Sequence, residues 1–207
     1  MNGYFVTGTD TNVGKTVACA YLMRLLDADY WKPIQSGLDG ETDTEAVRRL
    51  TGLPPERFHL SAYELSAPLS PHEAARRDGV AISLEAITHP QTSRALIVEG
   101  AGGVLVPLTG EALMADLMKW LGLPVILVAR TTLGTINHTL LSLEALRARD
   151  IGIAGVILNG EANEANRIAI ETYGKVRIFA ELPFLAPLNA ETLDFVSRSS
   201  PVRTAFV

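Results

Sequence analysis

The stretch GTDTNVGKT, residues 8–16, resembles the phosphate-binding pattern G-x-x-x-x-G-K-[ST]. Its spacing is relaxed, because Thr9 stands at the position of the usual first glycine and Gly8 comes one residue earlier. The apolar residues 4–7 predict a strand before this stretch, and residues 15–26 predict a helix after it. Unpaired main-chain N–H groups and the positive end of the helix dipole would then face an anion at the turn.

Two side chains of this stretch have the chemistry that a bound triphosphate needs. Lys15 would reach the β- and γ-phosphates, and the Thr16 hydroxyl would join a magnesium shell. The alternative interpretation is a glycine turn capped by Asn12 or Thr11, with Lys15 in solvent. A strand before the stretch and a helix after it are the context that favours the phosphate site.

The hydrophobic pattern of the whole chain predicts an α/β fold. Four short apolar runs are typical of buried parallel strands: residues 4–7, 95–98, 125–129 and 153–158. Weaker strands are predicted at residues 30–31 and 176–179, about six in total. Apolar spacings of three and four predict helices at residues 15–26, 113–121, 137–147 and 164–173. This alternation predicts a doubly wound, mostly parallel sheet with helices on both faces, in one domain over residues 1–207.

A further short helix is predicted after Ser70. Ser70 as the N-cap, Pro71 at the first helical position and Glu73 two residues later predict a capping box. In an open parallel sheet, ligands bind at the carboxyl ends of the strands. The residues that follow each apolar run are therefore the candidates for a site.

Composition excludes several classes of partner. The 18 basic residues are scattered among 23 acidic ones, for a net charge of −5, which argues against a nucleic-acid partner. The most apolar run, residues 123–129, is far shorter than the roughly 20 residues of a membrane span. The single cysteine, Cys19, cannot form an internal disulfide and is expected to be a small buried residue. No basic segment followed by an apolar stretch opens the chain, so we expect a cytoplasmic protein.

Charged residues follow two of the predicted strands. Glu99 ends the run at residues 95–98 and precedes a glycine loop, where it could meet a nucleotide-bound cation; the alternative is a strand-end carboxylate in water. Lys32 follows the strand at residues 30–31 and should point toward the same crevice as Lys15, unless it is an ordinary exposed lysine. Asp43 precedes a helix, where N-capping is its simplest role, and composition does not favour it over Asp39 or Glu41 as a ligand.

Five motifs together resemble the dethiobiotin synthetase family over nearly the whole chain. They are GTDTNVGKT at 8–16, KPIQSG at 32–37, SPH at 70–72, VEGAGG at 98–103 and LGTINH at 133–138, in the family's order. The resemblance implies a P-loop NTPase-like fold, a homodimer and an enzyme of biotin synthesis. It implies that ATP, Mg²⁺ and CO₂ are used to close 7,8-diaminononanoate into dethiobiotin, with release of ADP and phosphate, through a carbamate and a carbamic–phosphoric anhydride.

The resemblance also implies roles for individual residues. Catalysis is assigned to Lys32, Lys15 and Thr11. Metal binding is assigned to Thr16, Asp43 and Glu99. Substrate contacts are assigned to Ser36, Gly102, Thr135, Ile136 and Asn137, the last three at a helix start that receives the substrate carboxylate across the dimer. Nucleotide contacts are assigned to Asn12, Val13, Gly14, Lys15, Thr16, Val17, Asp43, Glu99, Gly100, Ala101, Gly102, Asn159 (which would read adenine), Pro183, Phe184 and Leu185.

Two features depart from the family pattern. Asn12 stands where some relatives carry glutamate, which removes a charge but leaves the backbone N–H. The connection at residues 26–30 is shorter than in many relatives, and this bears on the second strand and on the direction of Lys32.

Three rival functions fit the phosphate motif. A ParA- or MinD-like nucleotide switch typically carries an additional lysine near the start of the loop, and here residues 7–9 contain none. An amidotransferase-type synthetase would add a glutaminase domain with a nucleophilic cysteine, for which 207 residues and Cys19 leave no room. A small-molecule kinase would leave the transferred phosphate on its product.

Overall fold

The computed structural model describes residues 2–199, and a parallel sheet forms its centre. The strands of the described chain are β1 Gly3–Gly8, β2 Asp29–Trp31, β3 Ile34–Ser36, β4 Phe58–His59, β5 Tyr63–Leu65, β6 Leu96–Gly103, β7 Val125–Arg130, β8 Ile153–Asn159 and β9 Ile178–Leu182. Seven of them form one sheet in the order β4-β2-β6-β1-β7-β8-β9, and every pair is parallel. Strands β3 and β5 form a separate parallel pair.

Helices cover both faces of the sheet. In the described residues they are α1 Lys15–Leu26, α2 Asp43–Thr51, α3 Pro71–Asp78, α4 Met114–Leu121, α5 Thr135–Arg147, α6 Glu164–Gly174 and α7 Ala190–Ser199, with one 3₁₀ turn at Pro55–Arg57. Helix α1 packs on α2 and α7, while α5 packs on α6. None of these helices combines the length and the apolar character that crossing a membrane requires.

The core divides into two layers because successive side chains of a strand point to opposite faces of the sheet. In β1, Phe5 belongs to one apolar cluster and Val6 to the other, and both are fully buried. In β7, Leu127 and Val128 divide in the same way. Burial on both faces is what the continuous apolar runs of the sequence predict, and the doubly wound fold is confirmed.

Strand β1 lies at the centre of the sheet, between β6 and β7. After β1, the next strand in the chain, β2, lies on one side of β1 in the sheet, and β7, β8 and β9 lie on its other side. Ligands of open α/β sheets bind where the strand order reverses in this way, beyond the carboxyl ends of the strands. The loop that follows β1 is therefore at the position where a ligand is expected.

Three strands are missing from the sequence prediction of about six: β3, β4 and β5. Each has only two or three residues, too few for a hydrophobic period to be recognised. The predicted strand at residues 176–179 begins two residues later, at Ile178, because β9 pairs with β8 from Val156 onward.

Two capping predictions are wrong. Ser70 lies at the N-cap position of α3, but its side chain makes no capping hydrogen bond, and Glu73 pairs with Arg76 and Arg77 instead. Asp43 is the first residue of α2 and not its N-cap. The capping box of α2 is formed by its neighbours: Thr42 accepts from the Glu45 N–H, and the Glu45 carboxylate accepts from the Thr42 N–H.

Candidate active site

The loop at residues 8–16 connects β1 to α1, as the phosphate motif requires. Gly14 is the N-cap of α1 with a φ of 99°, and no side chain caps the helix. A Cβ on Gly14 would lie 2.1 Å from Asn159 Nδ2, so this position needs glycine for space as well as for conformation. The first amides of α1 therefore have no side-chain acceptor, which is the arrangement that binds anions at helix starts.

Lys15 is 7% exposed and folds back over the loop. Its ammonium donates to the Asp10 carbonyl over 3.0 Å. Burial lowers the pKa of Lys15, the charge of Lys32 lowers it further, and Glu99 acts in the opposite direction. An anion placed between the two lysines would relieve both the burial penalty and the repulsion.

The Thr16 hydroxyl brings two carboxylates together at the start of α1. It lies 3.1 Å from Asp43 Oδ1 and 3.1 Å from Glu99 Oε1. Glu99 lies within β6, which continues to Gly103, so the glycine loop predicted after Glu99 is part of the strand; Glu99 is 1% exposed, so the alternative of a carboxylate in water is wrong. Asp43, not Asp39 or Glu41, is the neighbour of Thr16, because the capped start of α2 holds it there.

Lys32 occupies the space between the same two carboxylates. Its ammonium is 2.7 Å from Asp43 Oδ2, 3.4 Å from Glu99 Oε1 and 3.3 Å from the Gly100 carbonyl. Burial alone would lower the pKa of Lys32, but Glu99 and Asp43 raise it above the ordinary value. The short connection before β2 therefore does not misdirect Lys32, which is 3% exposed and points into the site.

This donor set fits a magnesium ion. A hydroxyl and two carboxylates supply the hard oxygen ligands that Mg²⁺ prefers when phosphate oxygens and water complete its shell. The Lys32 ammonium lies between the two carboxylates, so their negative charge already attracts a cation to this place. No group of three or more His, Cys, Asp or Glu side chains suited to a metal occurs in residues 2–199.

One cavity of about 750 Å³ collects these groups at the carboxyl ends of the strands. Its wall includes most of the predicted site residues: Thr11, Asn12, Gly14, Lys15, Thr16, Val17, Lys32, Ser36, Asp43, Glu99, Ala101 and Gly102. The Ser36 hydroxyl is buried without a hydrogen-bond partner, as is the Gln35 side-chain oxygen. A buried polar atom without a partner calls for a ligand, and Ser36 lines the cavity.

Other predicted residues lie outside this cavity. Thr135, Ile136 and Asn137 begin α5, whose N-cap Gly134 has a φ of 93° and provides no side-chain cap. Asn159 ends β8, and its amide donates to the Val13 carbonyl over 3.1 Å. Pro183, Phe184 and Leu185 follow β9, and the Phe184 side chain is largely exposed. The roles predicted for these residues stay predictions.

The sequence analysis missed three features. Fully buried Tyr30 donates from its hydroxyl to Glu99 Oε2 over 2.9 Å. Arg130, at the end of β7, pairs with Asp10 over 3.0 Å at the phosphate loop. The cavity also has an apolar side, formed by Pro68, Leu69, Pro71 and Val106. The available signal for Tyr30 was its position two residues before Lys32, because residues two apart point the same way wherever the chain is extended.

Two buried groups near Glu99 stay protonated. Burial raises the pKa of the Cys19 thiol well above its ordinary value, and the Glu99 charge raises it further, so the expectation of an inert buried cysteine is confirmed. Burial and the Glu99 charge likewise raise the pKa of Tyr30 well above its ordinary value. Tyr30 is therefore a hydrogen-bond donor to the carboxylate.

Comparisons with known proteins show which proteins the chain is similar to. Residues 2–192 match a family model described as an AAA domain. The chain is 54% identical over 193 residues to the ATP-dependent dethiobiotin synthetase BioD of Paramagnetospirillum magneticum, covering 93% of each chain. It is 55% identical over 189 residues to the protein of that name in Rhodopseudomonas palustris, covering 91% of this chain and 89% of that one. It is 50% identical over 200 residues to the biotin biosynthesis bifunctional protein BioCD of Bordetella avium, covering 96% of this chain and 43% of that protein.

Solved structures share the fold at low sequence identity. A ParA family ATPase from Chlorobium tepidum superposes with a TM-score of 0.57 at 13% identity, over 99% of this chain and 96% of that one. The cell division ATPase MinD of Pyrococcus furiosus gives a TM-score of 0.54 at 14% identity, over 100% of this chain and 95% of that one. At these identities the likeness concerns the P-loop NTPase-like fold alone.

Proposed function

Since the chain belongs to the family of ATP-dependent dethiobiotin synthetases, we propose that it closes 7,8-diaminononanoate with CO₂ and ATP into dethiobiotin, ADP and phosphate. The observation that carries the proposal is the meeting of Lys15, Lys32, Thr16, Asp43 and Glu99 in one cavity at the carboxyl ends of the strands. Two ammonium groups and a cation-binding pair of carboxylates suit a reaction that gathers negative charge around a γ-phosphate.

The chemistry proceeds in three balanced steps. One amine of the substrate attacks CO₂ and loses a proton to give a carbamate. A carbamate oxygen then attacks the γ-phosphorus, the bond to the β-phosphate oxygen breaks, and ADP leaves. The second amine attacks the carbonyl carbon of the mixed anhydride, phosphate leaves with the bridging oxygen, and loss of a proton gives the cyclic urea.

Lys15 and Lys32 provide the charge that these steps need. The carbamate and the transferring phosphoryl group are both anionic, and bringing them together costs Coulomb energy that two ammonium groups offset. The two lysines are buried at 7% and 3% exposure, where solvent screens their charge least. The amides at the start of α1 and Thr11 would hold the phosphates, and the Ser36 hydroxyl would orient the diamine.

Magnesium would be held by Thr16, Asp43 and Glu99 together with the nucleotide, and would neutralise phosphate charge there. When the phosphates enter, Lys32 would exchange its carboxylate partners for phosphate or carbamate oxygens. Lys32 already lines the cavity in which this exchange would take place. The same ammonium would thus stabilise the carboxylate pair before binding and the reacting anions after it.

We also propose that the protein is a cytoplasmic homodimer of single-domain subunits. No side chain caps the start of α5, Leu133 just before the helix is exposed, and Leu141 is exposed within it. An apolar helix face beside an open helix start suits a subunit contact in which the amides receive the carboxylate of the partner's substrate.

The test is incubation with Mg-ATP, bicarbonate and 7,8-diaminononanoate, followed by mass measurement of the products. The proposal requires dethiobiotin and ADP in equal amounts, with ADP formation dependent on the diamine. A phosphorylated diamine would identify a kinase. ADP formation indifferent to the diamine would identify a nucleotide switch.

A further inference from the structure

Tyr30 contacts Glu99 from the side away from the cavity. The phenol is fully buried and is not part of the cavity wall, whereas Glu99 is. The Tyr30 hydroxyl donates to Glu99 Oε2 over 2.9 Å. The contact therefore joins a carboxylate of the site to the core of the protein.

The sheet register makes this contact. Tyr30 pairs with Ile97 and Trp31 with Val98, so β2 ends beside the residue that precedes Glu99 in β6. Tyr30 lies in β2 and Lys32 directly follows this strand, and both side chains reach Glu99. Lys32 is part of the cavity wall, whereas Tyr30 is not.

The two carboxylate oxygens of Glu99 have different partners: Oε1 contacts residues that line the cavity, and Oε2 contacts Tyr30. Oε1 accepts from the Thr16 hydroxyl over 3.1 Å and lies 3.4 Å from the Lys32 ammonium, and both of those residues line the cavity. Oε2 accepts from Tyr30. The terminal torsion of a glutamate is broad, so without the phenol the orientation of the carboxylate would depend on Thr16 and Lys32 at Oε1 and on the hydrogen bond of Glu99 with the Cys19 thiol.

We propose that Tyr30 is a positioning residue: its O–H holds Oε2 of Glu99 so that Oε1 faces the magnesium of a bound nucleotide. The inference rests on the proposed function, because it gives Glu99 a metal-binding role. Hydrogen-bond partners of metal-binding carboxylates orient the carboxylate, and their loss typically weakens metal binding by about 10- to 100-fold.

The experiment compares Mn²⁺ binding by the wild type and Tyr30→Phe, each saturated with ADP, using the electron paramagnetic resonance signal of free Mn²⁺. We expect about 10-fold weaker Mn²⁺ binding in the variant and unchanged ADP binding in EDTA. The matched control is Tyr63→Phe, which removes a phenol oxygen that accepts from the Ser83 N–H outside the cavity wall. Equal Mn²⁺ affinity in the wild type and Tyr30→Phe overturns the inference. Failure of the wild type to retain Mn²⁺ with ADP overturns the proposed function instead.

A double-mutant cycle tests whether Tyr30 acts through Glu99. In a Glu99→Gln background, Tyr30→Phe should change Mn²⁺ affinity by less than about twofold, because the carboxylate that it orients is gone. A full additional 10-fold loss in that background would assign Tyr30 a general structural effect and refute the proposal.

If Tyr30→Phe is unstable, a measurement on the folded wild-type protein tests whether Tyr30 responds to the metal site. In wild-type protein labelled with 3-fluorotyrosine, the fluorine lies beside the hydroxyl and reports on its hydrogen bond. We expect the ¹⁹F resonance of Tyr30 to shift when Mg-ADP binds, while that of Tyr173, which is 74% exposed, stays in place. An unmoved Tyr30 resonance contradicts the proposal.

Discussion

Replacing Lys32 with methionine removes the ammonium between two carboxylates and keeps most of the side-chain stem. The ammonium lies 2.7 Å from Asp43 and 3.4 Å from Glu99. Removing one partner of a buried ion pair costs about 3–5 kcal/mol, because the remaining charges stay buried without compensation. The Asp43 side chain is 37% exposed, so the lower end, about 3 kcal/mol, applies.

This loss of stability should depend on the metal. In EDTA we expect the melting temperature of Lys32→Met to fall by about 6–12 °C, at about 2–4 °C per kcal/mol for a chain of this size. With Mg-ADP the fall should shrink, because a divalent cation then stands near the two carboxylates. Differential scanning calorimetry with and without Mg-ADP measures both values.

Catalysis should suffer more than binding. The Lys32 charge is needed most when charge builds up between phosphate and carbamate, so we expect turnover to fall by about 100-fold or more. By linkage, a smaller fall with Mg-ADP means that the variant binds Mg-ADP more tightly than the wild type, so its calorimetric affinity for Mg-ADP should be higher and not lower. Lys119→Met, at an exposed lysine of α4, is the matched control and should leave all three quantities unchanged. Normal turnover in Lys32→Met would refute the mechanism, and equal destabilisation with and without Mg-ADP would refute the charge argument.

Three further changes test other parts of the site and fold. Gly14→Ala should abolish nucleotide binding measured by calorimetry, because its Cβ would collide with Asn159 at a φ of 99°; retained binding would contradict the loop geometry. Ser36→Ala should raise the KM for the diamine and leave that for ATP unchanged in steady-state kinetics, since Ser36 Oγ is the unpartnered hydroxyl of the cavity. The pKa of Asp29 is lowered although burial opposes this, because Thr92 and Arg57 bind the carboxylate. Asp29→Asn should therefore reduce the unfolding free energy at neutral pH, and the difference from wild type in chemical denaturation should vanish as the pH falls below about 4, where the unfolded-state carboxyl and then the folded one take up protons.

The centre of the fold and the phosphate site could be predicted because both depend on local signals. Continuous apolar runs indicated the four long parallel strands, and residues 8–16 combined a strand, a glycine turn and a helix start in sequence order. Lys15 and Thr16 begin α1, and Glu99 directly follows the apolar run that indicates β6. Their convergence then follows from the parallel order of β1 and β6.

Other parts of the site depend on contacts that the sequence does not display locally. Asp43 could not be chosen over Asp39 or Glu41 from residue types, because its position depends on the Thr42–Glu45 capping box and on the packing of α2 against α1. In the sequence, nothing distinguishes Tyr30 from an ordinary core aromatic residue. Its contact with Glu99 depends on the register of β2 and β6, which brings the hydroxyl to the carboxylate. Strands β3 and β5 are too short to show a period and become visible only through their pairing.

The central claim is that a carbamate oxygen attacks the γ-phosphate in the cavity between Lys15 and Lys32. The direct measurement uses freshly dissolved C¹⁸O₂ with ATP, magnesium and 7,8-diaminononanoate, and mass spectrometry of both products. We predict one ¹⁸O atom in the released phosphate and one in the urea oxygen of dethiobiotin. Labelled dethiobiotin together with unlabelled phosphate would show that the carbamate is never phosphorylated, and would contradict the mechanism.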